Sequence, residues 1–115
     1  MTNAPHERVM FRATRANPPT LYDFLSNIER RRRLPPNATA EVQRRWAGLS
    51  MYDERSALED VVRATPAVGS FIAEVRIAGA MQVTISQFGV NPHHFTVWGN
   101  PAELLAAVTS VARVR

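Results

Sequence analysis

The chain contains neither cysteine nor lysine in its 115 residues. Without cysteine it cannot form a disulfide framework, a thiolate nucleophile or a thiolate metal site. The absence of lysine excludes Schiff-base and lysine general-base chemistry. All fourteen basic residues are therefore arginine, and the formal net charge is only +4. This modest excess is typical of a mildly basic globular domain, so nucleic acid is not an expected partner.

Long apolar segments are also missing. No stretch approaches the ~20 apolar residues needed to cross a bilayer, and the first seven residues lack the basic-then-apolar pattern of a secretory signal. We therefore expect no membrane association and, by default, a cytoplasmic protein. The length favours one α+β domain over residues 1–115, with a flexible N-terminus at 1–7 and an Arg/Pro-rich loop at 29–38.

Hydrophobic periodicity predicts the secondary structure. Period-two alternation indicates five strands, at 9–15, 48–53, 71–77, 81–88 and 94–98. Helical spacing and capping residues indicate four helices, near 20–28, 39–46, 56–64 and 100–111. The predicted fold is a roughly five-stranded, mixed or antiparallel sheet flanked by about four helices.

The last helix has the clearest start, since Asn100 precedes Pro101 and Glu103 follows at the third helical position. Its apolar face is predicted to include Leu104 and Val108. The shared faces of strands and helices then predict a single core, made of Phe11, Leu49, Phe71, Val75, Val83, Val97, Leu104 and Val108.

Three polar residues stand out because each lies on a strand face that could be open while its neighbours look buried: Arg12, Ser50 and Glu74. Their segments are 11–14 (Phe-Arg-Ala-Thr), 48–52 (Gly-Leu-Ser-Met-Tyr) and 69–75 (Gly-Ser-Phe-Ile-Ala-Glu-Val). In this order the segments resemble small members of the ADP-ribosyltransferase superfamily. The resemblance covers most of the chain, through short motifs.

The resemblance implies a role for each of these residues. Arg12 would contact the phosphates of NAD, and Ser50 or Tyr52 would support the nicotinamide ribose or ring. Glu74 is the candidate catalytic carboxylate, because cleavage of the glycosidic bond develops positive charge on the ribose. Simpler interpretations are a surface position for Arg12 and a solvated charge pair between Glu74 and Arg76.

Two functional hypotheses follow. The first is a small ADP-ribosyltransferase-like domain that binds NAD or a related nucleotide, with transferase activity retained, reduced or lost. The second is a non-catalytic interaction or regulatory module that acts on a protein partner or as a homo-oligomer. A fold resemblance does not by itself decide between them.

The histidines and the arginine run complete the candidates. His93 and His94 are adjacent on a strand and point to opposite faces, so we predict no metal site. His94 shares a face with Thr96 and Trp98 and could line a pocket. We interpret Arg30–Arg33 as a solvated, mobile loop; the alternative is a phosphate-binding patch that also includes Arg44 and Arg45.

Overall fold

A six-stranded antiparallel sheet organises the computed structural model, which describes residues 7–114. The strands are β1 (Arg8–Thr14), β2 (Leu49–Tyr52), β3 (Phe71–Ile77), β4 (Thr84–Gln87), β5 (His94–Trp98) and β6 (Val108–Arg113). Their order across the sheet is β4-β5-β2-β1-β3-β6. The described residues form three α-helices, namely α1 (Ala40–Trp46), α2 (Arg55–Ala64) and α3 (Pro101–Ala106), and two 3₁₀ turns, Leu21–Phe24 and Pro66–Val68.

The predicted sheet of five strands with about four helices is wrong in its details, although the fold is α+β. Every strand pair is antiparallel, and residues 108–113 form β6 beside β3 instead of completing a helix. Val108, Thr109 and Val111 are β-branched and favour extended backbone. Helix α3 therefore ends at Ala106, and the spacing of Val108 and Val111 only mimicked a helical face.

The predicted helix near 20–28 is also shorter than expected. It is a single 3₁₀ turn, Leu21–Phe24, and the backbone is already extended at Leu25. The carboxylate of Asp23 accepts hydrogen bonds from the backbone N–H groups of Arg15 (2.9 Å) and Thr20 (3.0 Å). These bonds fix the turn against the end of β1.

The predicted single core is two cores, one on each face of the sheet. The larger contains Met10, Phe24, Leu49, Met51, Val75, Ile77, Val97 and Leu104. The smaller joins Leu58 and Val62 of α2 to Ile72, and Phe11 packs against it. Phe71 is only half-buried and belongs to neither cluster. The prediction failed because β1 and β3 are interior strands, and alternate side chains of such strands pack into the cores on opposite faces of the sheet.

The two neighbours of β1 are paired to very different extents. β1 pairs with β3 from Arg8↔Ile77 to Thr14↔Phe71, but its register with β2 is a single pair, Phe11↔Tyr52. Towards Thr14 the two strands therefore separate. This gap between β1 and β2 positions the site described below.

Two further expectations concern the chain as a whole. The flexible N-terminus expected at 1–7 lies, apart from Glu7, outside the described residues. Within residues 7–114, no helix has both the length and the apolar character required to cross a membrane.

Candidate functional site

A cavity of about 450 Å³ occupies the gap between β1 and β2. Asp23 and residues 25–27, from the first 3₁₀ turn and its extension, form one wall, and Leu58 and Val61 of α2 contribute an apolar wall. The remaining boundary comes from β2 and from Ala67 and Val68 of the second 3₁₀ turn. The volume is within the ordinary range for small-molecule sites.

Four arginines line this cavity: Arg12, Arg15, Arg30 and Arg32. The guanidinium of Arg12 donates from Nε to the Asp23 carbonyl (2.8 Å) and from one terminal nitrogen to the Ser50 carbonyl (2.9 Å). It therefore bridges the separated strands. Arg15 donates to the Ala67 carbonyl at 3.0 Å.

The other two arginines come from the 29–38 loop. Arg30 stacks over the Tyr22 ring, 4.5 Å from its centroid, and donates to the Tyr22 carbonyl at 2.7 Å. Its Nε–H is buried without an acceptor among residues 7–114. Arg32 donates to Oδ1 of Asn27 at 3.2 Å. Arg30 is therefore half-buried against Tyr22, whereas Arg31, Arg32 and Arg33 are exposed.

The positive charge of the cavity is not neutralised by carboxylates. Within the described residues, none of the four arginines forms a salt bridge; their acceptors are carbonyl and amide oxygens. Asp23 is the one carboxylate among the lining residues, and both of its oxygens accept backbone N–H groups. The cavity therefore presents excess positive charge to whatever enters it.

The pKa values of two arginines reflect this crowding. The pKa of Arg12 is lowered to about 10, chiefly by burial and additionally by the charges of Arg30 and Arg32, with Asp23 partly offsetting the shift. Burial also lowers the pKa of Arg30; Tyr22 and Asp23 partly offset this shift, and repulsion from Arg32 and Arg15 adds to it. Both side chains are still cations at neutral pH, held close together at an electrostatic cost that a bound anion would offset.

Ser50 and Tyr52 line the same cavity as Arg12, so the structure brings these three predicted residues together. Their side chains nevertheless start from opposite faces. The pair Phe11↔Tyr52 places Ser50 and Tyr52 on the face of Phe11, whereas Arg12 belongs to the other face. Burial raises the pKa of Tyr52, and a hydrogen bond with Ser50 opposes that shift.

Glu74 lies away from the cavity and contributes to neither of the two cavities described here. It pairs with Phe11 in register, on the side of β1 remote from β2. Its carboxylate is 3.4 Å from Nε of Arg76 and accepts from Ser110 Oγ at 3.4 Å. The geometry is that of the charge pair, the alternative interpretation of this residue.

A second cavity, of about 310 Å³, adjoins the first and shares Asn27, Gly48 and Ser50 with it. Val42 and Trp46 of α1 and His94 of β5 line it. Ser50 Oγ is 2.7 Å from His94 Nε2, and His94 Nδ1 is 3.2 Å from the Phe88 carbonyl oxygen. Ser50 therefore lies where the two cavities meet.

Sequence reasoning missed Arg15, Arg30 and Arg32 as lining residues. The run at 30–33 was visible, but contacts such as that with Tyr22 depend on tertiary folding. Ser50 and His94 were each recognised as candidates, but their pairing was not. The signal was available, because β2 and β5 each alternate and one register places both residues on one face. No group of three or more His, Asp or Glu side chains suited to a metal ion occurs in residues 7–114.

Comparison with known proteins adds no relative. No protein-family model matches the chain, and no curated protein or solved structure matches it. The function must therefore be argued from the site itself.

Proposed function

We propose that this domain binds NAD or a related nucleotide through its phosphates, in the cavity between β1 and β2. The observation that carries the proposal is the set of four arginines on the cavity wall with no carboxylate partner among the described residues. Guanidinium groups suit phosphate oxygens because their donors are planar and permanently charged at neutral pH. A pyrophosphate would supply the missing counter-charge.

The remaining walls suit the other parts of a nucleotide. Leu58, Val61 and Val68 offer apolar surface for one face of a base or ribose, while Ser50 and Tyr52 offer hydroxyl groups at the β2 side. The proposal concerns binding. It assigns no transferase step, because Glu74, the carboxylate that such a step would use, lies outside the cavity.

Isothermal titration calorimetry with NAD, ADP-ribose and adenosine tests this proposal. We expect NAD and ADP-ribose to bind saturably and adenosine, which has no phosphate, to bind much more weakly. Arg32→Gln should weaken ADP-ribose binding at least about tenfold, since charge-assisted hydrogen bonds contribute about 1.5–3 kcal/mol.

Arg33→Gln is the matched control. Arg33 belongs to the same arginine run and carries the same charge, but it is exposed and does not line the cavity. Its loss should change affinity by no more than about twofold. Equal losses of affinity in the two variants would show that the effect comes from net charge alone. Absence of NAD and ADP-ribose binding at millimolar concentration would refute the site.

A further inference from the structure

Ser50 and His94 form a hydrogen-bonded pair with the geometry of an activated nucleophile. Ser50 Oγ lies 2.7 Å from His94 Nε2, within the range for proton transfer. The other ring nitrogen, Nδ1, lies 3.2 Å from the Phe88 carbonyl oxygen. A carbonyl can only accept, so the hydrogen-bond network assigns the proton to Nδ1. In the neutral ring Nε2 is then the acceptor, and Ser50 Oγ–H donates to it.

The sheet holds this pair in place from both sides. Ser50↔Thr96 and Tyr52↔His94 are register pairs of β2 and β5, so Ser50 and His94 are diagonal neighbours on one face. The Phe88 carbonyl belongs to the turn between β4 and β5. There the Gln87 side-chain amide donates to the carbonyls of Gly89 (3.0 Å) and Asn91 (3.1 Å). The group that orients His94 is thus itself fixed.

The serine is also accessible. Ser50 is exposed and lines both cavities, the arginine-rich one between β1 and β2 and the one beside α1. Arg12 donates to the carbonyl of Ser50 itself, which keeps a positive charge next to the residue that carries the nucleophile. A nucleophile, a base within reach and a third group that orients the base are together the signature of covalent catalysis.

We propose that Ser50 is a catalytic nucleophile, with His94 as its general base, towards small carboxylic esters that carry an anionic group. Ser50 Oγ forms a bond to the ester carbonyl carbon while its proton moves to His94 Nε2. The carbon–oxygen bond to the leaving alkoxide breaks, and His94 returns the proton to that alkoxide. Water then attacks the acyl-serine with His94 as base, which releases the carboxylic acid and restores Ser50.

The two parts of this proposal have separate foundations. The reactivity of Ser50 depends only on the pair with His94 and the Phe88 carbonyl. The preference for an anionic ester rests on the proposed function of the arginine-lined cavity, because the same four arginines would hold the anionic group.

Labelling of the full chain with a fluorophosphonate probe, read by intact-mass and peptide mass spectrometry, tests the nucleophile. We expect one adduct per chain, on Ser50, and none in Ser50→Ala. His94→Gln should slow labelling at least about a hundredfold, the usual contribution of a general base. Ser56→Ala is the control, because Ser56 is also exposed and lies at the start of α2, outside both cavities.

Circular dichroism and thermal melts must show that the variants fold like the parent chain. If folding is preserved, three results would each contradict the assignment of Ser50 as a nucleophile activated by His94. They are absence of an adduct, an adduct on another serine, and labelling unaffected by His94→Gln. Hydrolysis of p-nitrophenyl acetate should likewise fall to the protein-free background in Ser50→Ala.

A pair of p-nitrophenyl esters tests the preference for an anionic substrate separately from the nucleophile. The succinate monoester, which is anionic, should be hydrolysed at least about tenfold faster than the neutral acetate, and Arg30→Gln should abolish that preference. Equal rates for the two esters in the parent chain would overturn the substrate class while leaving the nucleophile intact. Binding of NAD without any Ser50 adduct would support the proposed function and contradict the assignment of Ser50 as a nucleophile.

Discussion

At the scale of single residues, Arg12 is held by hydrogen bonds to two separate parts of the backbone. It is a cation near two others, Arg30 and Arg32, and it bridges β2 and the first 3₁₀ turn through two carbonyls. Its pKa is lowered from the ordinary value of an arginine to about 10, chiefly by burial. Folding therefore carries an electrostatic cost at every pH below about 10, and this cost is relieved as the pH rises above 10.

This shift predicts the pH dependence of ligand binding. ADP-ribose has phosphates that stay ionised above neutrality, so its affinity should be constant from pH 7 to 9 and weaken above about pH 10, where Arg12 begins to lose its charge. Arg12→Lys should move that loss about two pH units lower, since lysine has an unperturbed pKa of about 10.4. Calorimetry across this range measures both curves. Identical profiles for the parent chain and the Arg12→Lys variant would show that this cation does not contact the ligand.

At the scale of elements, the start of α3 is set by neighbouring residues in the sequence, whereas its end depends on tertiary strand pairing. The start was predictable because Asn100 and Pro101 are adjacent, and the Asn100 side chain indeed accepts from the N–H groups of Ala102 (2.9 Å) and Glu103 (3.2 Å). The end was not predictable from helical spacing, because β6 is stabilised by pairing with β3, far earlier in the chain.

Substitution of the cap tests the start of α3. Asn100→Ala leaves two backbone donors of the first turn without their side-chain acceptor and should lower the free energy of unfolding by about 1 kcal/mol. Asn100→Ser retains a capping oxygen and should stay close to the parent chain. Urea unfolding curves measure both variants. If serine were as damaging as alanine, the loss would not come from capping.

The candidate site shows the same division. Period-two alternation located Arg12, Ser50 and Tyr52 on strands that do border one cavity, because strand position is a local property of the sequence. The contributions of Arg30 and Arg32 were missed, since a loop has no periodicity from which its docking could be inferred. Glu74 was predicted on the correct strand, β3. In the sheet, however, β3 lies on the side of β1 opposite to β2, away from the cavity.

At the scale of the whole molecule, the sheet separates two cores that differ in size. Leu104 of α3 is completely buried in the larger core, whereas Phe71 is half-buried at the end of β3 with Arg113 4.9 Å above its ring. The extent to which a side chain is buried therefore matters more here than its size.

Alanine substitutions should reveal this difference. Leu104→Ala should lower the free energy of unfolding by about 3 kcal/mol through lost burial and a residual cavity. Phe71→Ala removes a larger side chain but less buried surface, so we expect about 1–2 kcal/mol. Chemical denaturation of the two variants decides the comparison. A Phe71 variant that is less stable than the Leu104 variant would contradict the two-core arrangement.

The single register pair between β1 and β2 has a mechanical consequence. It makes the sheet two panels of three strands, β4-β5-β2 and β1-β3-β6, fastened at one seam. Arg12 of β1 and Arg15, just beyond the end of β1, lie on one side, and Ser50 and Tyr52 of β2 lie on the other, with the cavity between them. A ligand bound there would contact both halves of the sheet. Its affinity and the force needed to separate the two halves would then depend on the same contacts.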